Sequence, residues 1–407
     1  MPAFDSMWTD LLEVGRYPAT GGYRRFAWND AEMTLREWFR GEADRRGMSV
    51  EEDRNGNLWA WWMPPGWLGD PRDAFVTGSH LDSVPDGGAY DGPLGVVSAF
   101  AAVDLVRARG IVPARPVAVT AFSDEEGARF GVACIGSQLS TGALAPERAL
   151  RLRDTDGVTL AEALRGHGRD PRALGADPRL AERVGVYVEL HVEQGRALDL
   201  VARPLAIASS IWPHGRWLFS FTGQANHAGA TRLADRRDPM LAFASTVQTA
   251  RGAAALHDAV ATFGKVAILP NGTNAIASQV RAWLDARAAD EDTLTALVAE
   301  ITEQARRHAG GDGIGLDVEA ESVTPIVEFP GDTRQRLQTA LGHLGDIPVQ
   351  PTAAGHDAGI LSALVPTAML FVRNPTGISH SPEEFAELDD CRHGARALAD
   401  VMADWIG

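Results

Sequence analysis

Hydrophobic positions along this chain follow two alternating periods. Leu35 and Trp38 fall on helical spacing after Asn29 or Asp30, either of which can cap a helix, and Gly47 ends the run. Alternation in Leu58-Trp59-Ala60-Trp61-Trp62 predicts a strand, and Ala74-Phe75-Val76-Thr77 predicts another. From Gly92 to Arg109, Leu94, Val97, Phe100, Ala101 and Leu105 return to helical spacing before Gly110. Val117–Phe122 is nearly all apolar, as a strand buried on both faces requires, and Val186-Tyr187-Val188 is a shorter run of the same kind. Strands alternating with helices predict an α/β fold with mostly parallel strands.

The rhythm changes between about Leu205 and Val323. Strand-like Trp217–Thr222 precedes helical Pro239–Arg251. Strand-like Thr262–Leu269 and Gln279–Asp285 follow, then helical Asp292–His308 and strand-like Leu316–Ser322. This β-α-β-β-α-β order is that of a ferredoxin-like domain. The α/β pattern resumes at Pro366–Val372, so residues 205–323 read as a domain inserted into one made of 1–204 and 324–407. A chain of 407 residues has room for both.

Charge and cysteine content narrow the class. The net charge of -16 argues against nucleic acid and anionic membranes as partners, since both reward a basic face. Cys134 and Cys391 are far apart, and two scattered thiols fit a reducing compartment. Residues 1–22 carry Asp5, Asp10 and Glu13 without an apolar stretch, so they do not read as a signal peptide. No run approaches the roughly 20 apolar residues of a membrane span. The expected location is the cytoplasm.

Five polar clusters follow strand-like runs, where open α/β sheets gather their chemistry. They are Gly78–Asp82, Asp91–Gly95, Ser123–Gly127, Glu189–Gly195 and Ser379–Pro382. Imidazole and carboxylate together suit Zn²⁺ and its first-row neighbours. Asp82, two residues after His80, is placed to accept the free ring N–H of a ligating histidine and fix its orientation. Glu125 and Glu126 cannot both point at one metal, so one can ligate while the other takes a proton from water. Each element alone has an ordinary explanation. A histidine after a strand is usually a satisfied core or surface residue, an Asp-Gly pair a turn, and a Glu-Glu pair a solvated helix start.

The order of these clusters resembles the amidohydrolase branch of peptidase family M20, which includes N-carbamoyl-L-amino-acid hydrolases, allantoate amidohydrolases and β-ureidopropionases. Gly78-Ser79-His80-Leu81-Asp82-Ser83-Val84-Pro85 and Tyr90–Val96 are similar to its first metal motif. Ser123–Gly131 and Glu189–Gly195 are similar to the second and third, and Gly223–Thr231, Gly355–Ala358 and Gly377–Pro382 complete the set. The resemblance implies a metallopeptidase-like catalytic domain, with a mostly parallel mixed sheet flanked by helices, and an inserted ferredoxin-like α+β domain serving as lid and dimer contact. It implies two divalent metal ions, zinc first, with manganese, cobalt or nickel as alternatives. His80 and His191 would hold one, Glu126 and His380 the other, and Asp91 would bridge them. Glu125 would be the general base, and a non-proline cis peptide would follow Asp91. Histidine at 191, where peptidases of the wider family usually offer a carboxylate, marks the amidohydrolase branch.

The same resemblance places substrate contacts at Gln194, Asn274, Arg287 and Gly359. It gives His227 the task of reaching a neighbouring subunit's site in a homodimer and polarising the scissile carbonyl. A guanidinium fork suits a planar carboxylate, although Arg287 can equally form a surface salt bridge and Gln194 can stabilise a turn. The chain departs from the branch's usual sequence at Ser209–Gly215, Thr231–Leu233 and Ala275–Ser278, all near the expected substrate position. The expected reaction is hydrolysis of a ureido C–N bond in an N-carbamoyl-L-amino acid or allantoate. An N-formyl or N-formimino amino acid, a dipeptide, or a metal-binding protein without activity are the competing readings.

Overall fold

The computed structural model describes residues 1–407, which divide into two compact units. The first comprises Met1–Ser209, Phe329–Gln350 and Gly355–Gly407, and the second Ser210–Glu328 with Pro351–Ala354.

The first unit is built on a mixed sheet flanked by helices. Its strands lie in the order Ser49–Glu52, Leu58–Trp62, Val117–Phe122, Ala74–His80, Val184–Val192, Thr367–Val372 and Leu205–Ile211. From Val117–Phe122 to Thr367–Val372 neighbouring strands are parallel, and the flanking pairings are antiparallel. The parallel strands are buried along their whole length except for Gly185, which explains their lack of polar alternation.

Helix Pro93–Ala108 supplies the centre of the core. Leu94, Val97, Phe100 and Val103 pack with Phe75, Val119, Leu190 and the C-terminal helix Leu388–Ile406. Burial of Phe100 or Leu398 is worth about 1.5–3 kcal/mol each. Asn29 caps helix Asp30–Arg45 by accepting the N–H of Glu32 at 2.9 Å. A smaller cluster around Trp28, Phe130, Leu139, Leu160 and Leu164 closes the segment that carries short helices Ile135–Thr141 and Leu160–Gly166.

The second unit has the β-α-β-β-α-β order. Strands Gly315–Thr324, His214–Thr222, Gln279–Arg287 and Val260–Leu269 form one antiparallel sheet in that spatial order. Helices Pro239–Leu256 and Glu291–Gly311 cover it, with Phe219, Phe221, Val280, Leu284, Leu297 and Ile301 at the centre. Asp238 and Asp290 cap these helices through the N–H groups of Met240 and Thr293.

The expected boundary before Leu205 falls at the start of a strand, and the one after Val323 falls inside another. Leu205, Ala206 and Ile207 pair with Val372, Phe371 and Leu370, so they belong to the first unit's sheet. Ser210 and Ile211 pair with Glu328 and Val327 in the second unit. A single strand thus carries the chain from one unit into the other. No helix is long and apolar enough to cross a membrane.

Candidate metal centre

Three parallel strands and the loop after a fourth deliver the polar clusters to one place. His80 is the last residue of Ala74–His80, His191 lies next to the end of Val184–Val192, and Glu125 and Glu126 follow Val117–Phe122. His380 lies on the loop after Thr367–Val372. Carboxyl ends of parallel strands share one edge of the sheet, so residues far apart in sequence become neighbours.

Asp91 sits at the centre. Its Oδ1 is 3.4 Å from His80 Nε2 and 3.2 Å from His191 Nε2, and its Oδ2 is 3.4 Å from His380 Nε2. His380 Nε2 is also 3.7 Å from Glu126 Oε2. Three sets of ligand atoms each lie within 4.8 Å of one another: His80–Asp91–His191, Asp91–Glu126–His380 and Glu189–His191–His356. Asp91 belongs to the first two.

The histidine tautomers are set by carbonyls outside this cluster. His80 Nδ1 lies 3.2 Å from the Asp82 carbonyl, and His191 Nδ1 lies 2.9 Å from the Val192 carbonyl. Donation there leaves each Nε2 with its lone pair directed inward. Both Nε2 atoms are buried without a hydrogen-bond partner, which fits a cation ligated by nitrogen and carboxylate oxygen.

Asp82 faces both His80 and the two glutamates. Its backbone carbonyl lies 3.2 Å from His80 Nδ1 and its carboxylate 3.5 Å from the same atom. The carboxylate also accepts the N–H groups of Glu125 at 3.2 Å and Glu126 at 3.0 Å, holding the two glutamates in their turn. Glu125 Oε2 lies 3.8 Å from His80 Nε2, while Glu126 Oε1 accepts the Val84 N–H at 3.3 Å. The adjacent glutamates therefore face different partners.

The electrostatics match a site that attracts cations. Burial pushes the Glu125 carboxyl well above its usual range, with Asp357, Glu126 and Asp91 adding to the rise against the opposing His80. Burial and the nearby Asp91 raise Glu126 to about 8. Burial also opposes charge on Asp91, but the adjacent imidazoles of His191, His380 and His80 hold its pKa well below the usual carboxylate value. At His80 burial disfavours the imidazolium, yet Glu125, Asp82 and Asp91 outweigh it and raise the pKa well above normal. A divalent cation would take the place of such shared protons.

The peptide bond after Asp91 is trans, contrary to expectation, because the only cis peptide bond is Leu269–Pro270. The turn is made instead by Gly92, whose φ of +83° belongs to the left-handed region. A Cβ there would lie 2.5 Å from the His80 ring.

Residues 76–404 match the pattern of Peptidase family M20/M25/M40. The chain belongs to that family. An N-carbamoyl-L-amino acid amidohydrolase of Geobacillus stearothermophilus is 36% identical to this M20 member, covering 97% of this chain and 96% of its own. An allantoate amidohydrolase of Escherichia coli strain K12 is 29% identical, with coverage of 96% and 95%. The crystal structure of a hydantoinase/carbamoylase family amidase from Burkholderia vietnamiensis superposes with a TM-score of 0.89 at 28% identity, covering 100% of this chain and 97% of that one. The mixed α/β architecture is therefore shared along the full length of the M20 chain.

The remaining expected residues are distributed between the units. Gln194 joins the centre, where its side-chain nitrogen donates to Asp91 Oδ2 at 2.7 Å. Gly359 lies in the short helix Asp357–Leu361, where its N–H bonds the His356 carbonyl and its own carbonyl accepts the Ser362 hydroxyl. His227, Asn274 and Arg287 lie in the second unit. His227 and Asn226 pair with Ala275 and Ile276 in a two-stranded ribbon, and the Asn274 carbonyl accepts the Ala228 N–H at 3.0 Å. The Arg287 guanidinium binds both oxygens of Asp285 and the Ala353 carbonyl.

Other buried residues around the metal cluster carry only weak sequence signals. Glu189 accepts the Ser79 hydroxyl at 2.7 Å and the Ala358 N–H at 3.1 Å. Its position two residues before His191, on the same face of the strand, is the signal that could have found it. Cys134 Sγ lies 3.5 Å from Glu125 Oε1, a relation no local pattern announces.

Proposed function

We propose that this chain is a two-metal amidohydrolase that cleaves the ureido C–N bond of N-carbamoyl-L-amino acids or allantoate. The observation that carries this reading is one buried carboxylate, Asp91, shared by three imidazoles, with Glu125 beside them as a carboxylate of raised pKa. His80 and His191 would hold one cation, Glu126 and His380 the other, and Asp91 both. Bound there, zinc, manganese, cobalt or nickel would supply the Lewis acidity that makes water a nucleophile near neutral pH.

The protein groups would then divide the proton chemistry. Glu125 takes a proton from the attacking water and hands it to the departing nitrogen, a task suited to a carboxyl group whose pKa burial raises above the usual carboxylate value. His227 Nδ1 accepts the N–H groups of Gly229 at 3.0 Å and Ala230 at 3.1 Å, so in the neutral ring the proton resides on Nε2. That N–H is suited to donate to a developing oxyanion. For an N-carbamoyl amino acid, water converts the substrate into amino acid, CO₂ and ammonia. Asn274 and Arg287 offer an amide and a guanidinium to its carboxylate, with Gln194 and Gly359 as further contacts.

A homodimer sharing His227 between subunits accords with the second unit's surface. Strand Val260–Leu269 is an edge of its sheet and exposes Val260, Val266 and Leu269. Helix Pro239–Leu256 exposes Leu241, Val247 and Leu256. Long apolar edge strands are ordinarily covered.

The deciding experiment measures metal content together with turnover of N-carbamoyl amino acids, allantoate, N-formyl and N-formimino amino acids, and dipeptides. Ureido turnover that disappears with a chelator and returns with Zn²⁺ or Mn²⁺ is the expected result. Preference for a formyl, formimino or dipeptide substrate would reassign the substrate class. Metal uptake with no turnover of any of them would make the chain a binding protein.

A further inference from the structure

Glu384, buried and outside the ligand set, connects the loop bearing Asp91 with the loop bearing His380. Its Oε1 accepts the backbone N–H groups of Tyr90 at 2.9 Å and Asp91 at 3.0 Å, and its Oε2 accepts the Ser379 hydroxyl at 3.0 Å. Several hydrogen bonds converging on one side-chain group fix geometry more tightly than one. The surrounding chain is shaped to admit this side chain. A Cβ on Gly88 would lie 2.4 Å from Glu384 Oε1, so the backbone there passes directly over the carboxylate. His380, beside Ser379, has a φ of +55°, a conformation that persists in a non-glycine residue when its neighbours enforce it.

The two loops held by Glu384 contribute Asp91 and His380, whose Oδ2 and Nε2 stand 3.4 Å apart and belong to the ligand set that includes Glu126. We propose that Glu384 is a positioning residue that sets the spacing of Asp91 and His380 and so the affinity of the cation site formed with Glu126. This rests on the two-metal reading for its consequence, but its structural element, the restraint on the Tyr90 and Asp91 amides, is independent of any cation. Glu384 itself touches none of the reacting atoms.

The test compares Glu384→Ala and Glu384→Gln with the wild-type full-length chain by residue-resolved amide exchange, Mn²⁺ equilibrium dialysis and steady-state kinetics. Glutamine keeps an oxygen for the two N–H groups, so the conservative variant should rescue their protection. In Glu384→Ala the Tyr90 and Asp91 amides should exchange about tenfold faster or more, and the weaker Mn²⁺ site should lose roughly 10–100-fold in affinity. Its kcat should fall with little change in KM. Wild-type amide protection and Mn²⁺ affinity in Glu384→Ala would overturn the proposal. If that variant does not fold, Ser379→Ala removes the Oε2 arm alone, and unchanged affinity at the weaker site would then overturn it. Failure of the wild-type chain to take up Mn²⁺ would overturn the two-metal reading, while amide exchange in Glu384→Ala would still decide whether Glu384 positions Asp91.

Discussion

The Gln194 side-chain nitrogen donates to Asp91 Oδ2 at 2.7 Å, while Gln194 Oε1 is buried with no hydrogen-bond partner. A buried acceptor left unpaired costs about 1–3 kcal/mol, and an N–H donor from a substrate would relieve that cost. A ureido NH₂ is such a donor and a formyl group is not. Gln194→Ala should therefore lower kcat/KM about tenfold for an N-carbamoyl amino acid and much less for its N-formyl analogue. Parallel kinetics on the two substrates check this, and equal losses would assign Gln194 to holding Asp91 alone.

Glu125 and Glu126 share one turn but should separate on mutation. Glu125→Gln is expected to keep its metal while kcat falls roughly 10²–10⁴-fold, the usual contribution of a general acid–base. Glu126→Gln should instead lose metal. Metal content and turnover measured on the same samples distinguish the two, and near-normal turnover in Glu125→Gln would remove that residue from the reaction.

Gly92 combines a φ of +83° with a Cβ position that meets the His80 ring at 2.5 Å. Gly92→Ala should destabilise the fold by about 1–3 kcal/mol through backbone strain and displace His80 as well. Thermal melting and metal uptake test both effects. Wild-type values in both would show that the turn relaxes without moving His80.

His227→Ala should depress turnover without changing metal content, since His227 lies in the second unit and outside the ligand set. If the site is shared between subunits, co-refolding His227→Ala with Glu125→Gln restores one intact site per mixed dimer. Activity above that of either parent is the expected outcome. No recovery, with mixed dimers demonstrated by native mass spectrometry, would confine each His227 to its own subunit.

Acid stability should depend on Glu52, which is outside the ligand set. Burial opposes charge on its carboxylate, but Arg36, Arg169 and Arg40 outweigh that and hold its pKa below the usual 4.5. Arg36 Nη2 lies 2.7 Å from Glu52 Oε1. A folded-state pKa below the unfolded one contributes stability that is present above about pH 4.5 and is lost as pH falls through the folded value. Glu52→Gln should lower Tm at neutral pH, and its deficit relative to wild type should shrink on acidification through that window. A deficit independent of pH would mean that the Glu52 charge does not contribute.

Local periodicity was enough to place many regular elements. The nearly all-apolar run Val117–Phe122 is a strand with those limits, and the stripe Leu94–Leu105 lies in helix Pro93–Ala108. Asn29 caps the helix it announces. The inserted unit's element order was legible because each strand and helix carries its own period. The unit's edge was not, because Leu205–Ile211 is one uninterrupted strand whose two ends pair in different units. Segments such as Leu160–Gly166 have helical caps but too few turns for a clear stripe.

The sequence by itself determined the inventory of chemistry: imidazoles and carboxylates after successive strands, in an order that marks the family. Residue type and spacing are local properties, and they survive without a fold. Only the tertiary structure decided how the members divide their work. Asp82 supports Glu125 and Glu126 through its carboxylate and faces His80 with both its carboxylate and its backbone carbonyl, Gln194 leans on Asp91, and Arg287 is held by Asp285 and Ala353. Those choices depend on which strand ends lie side by side and which carbonyls face inward. Non-local pairing sets them, and no window of sequence contains it.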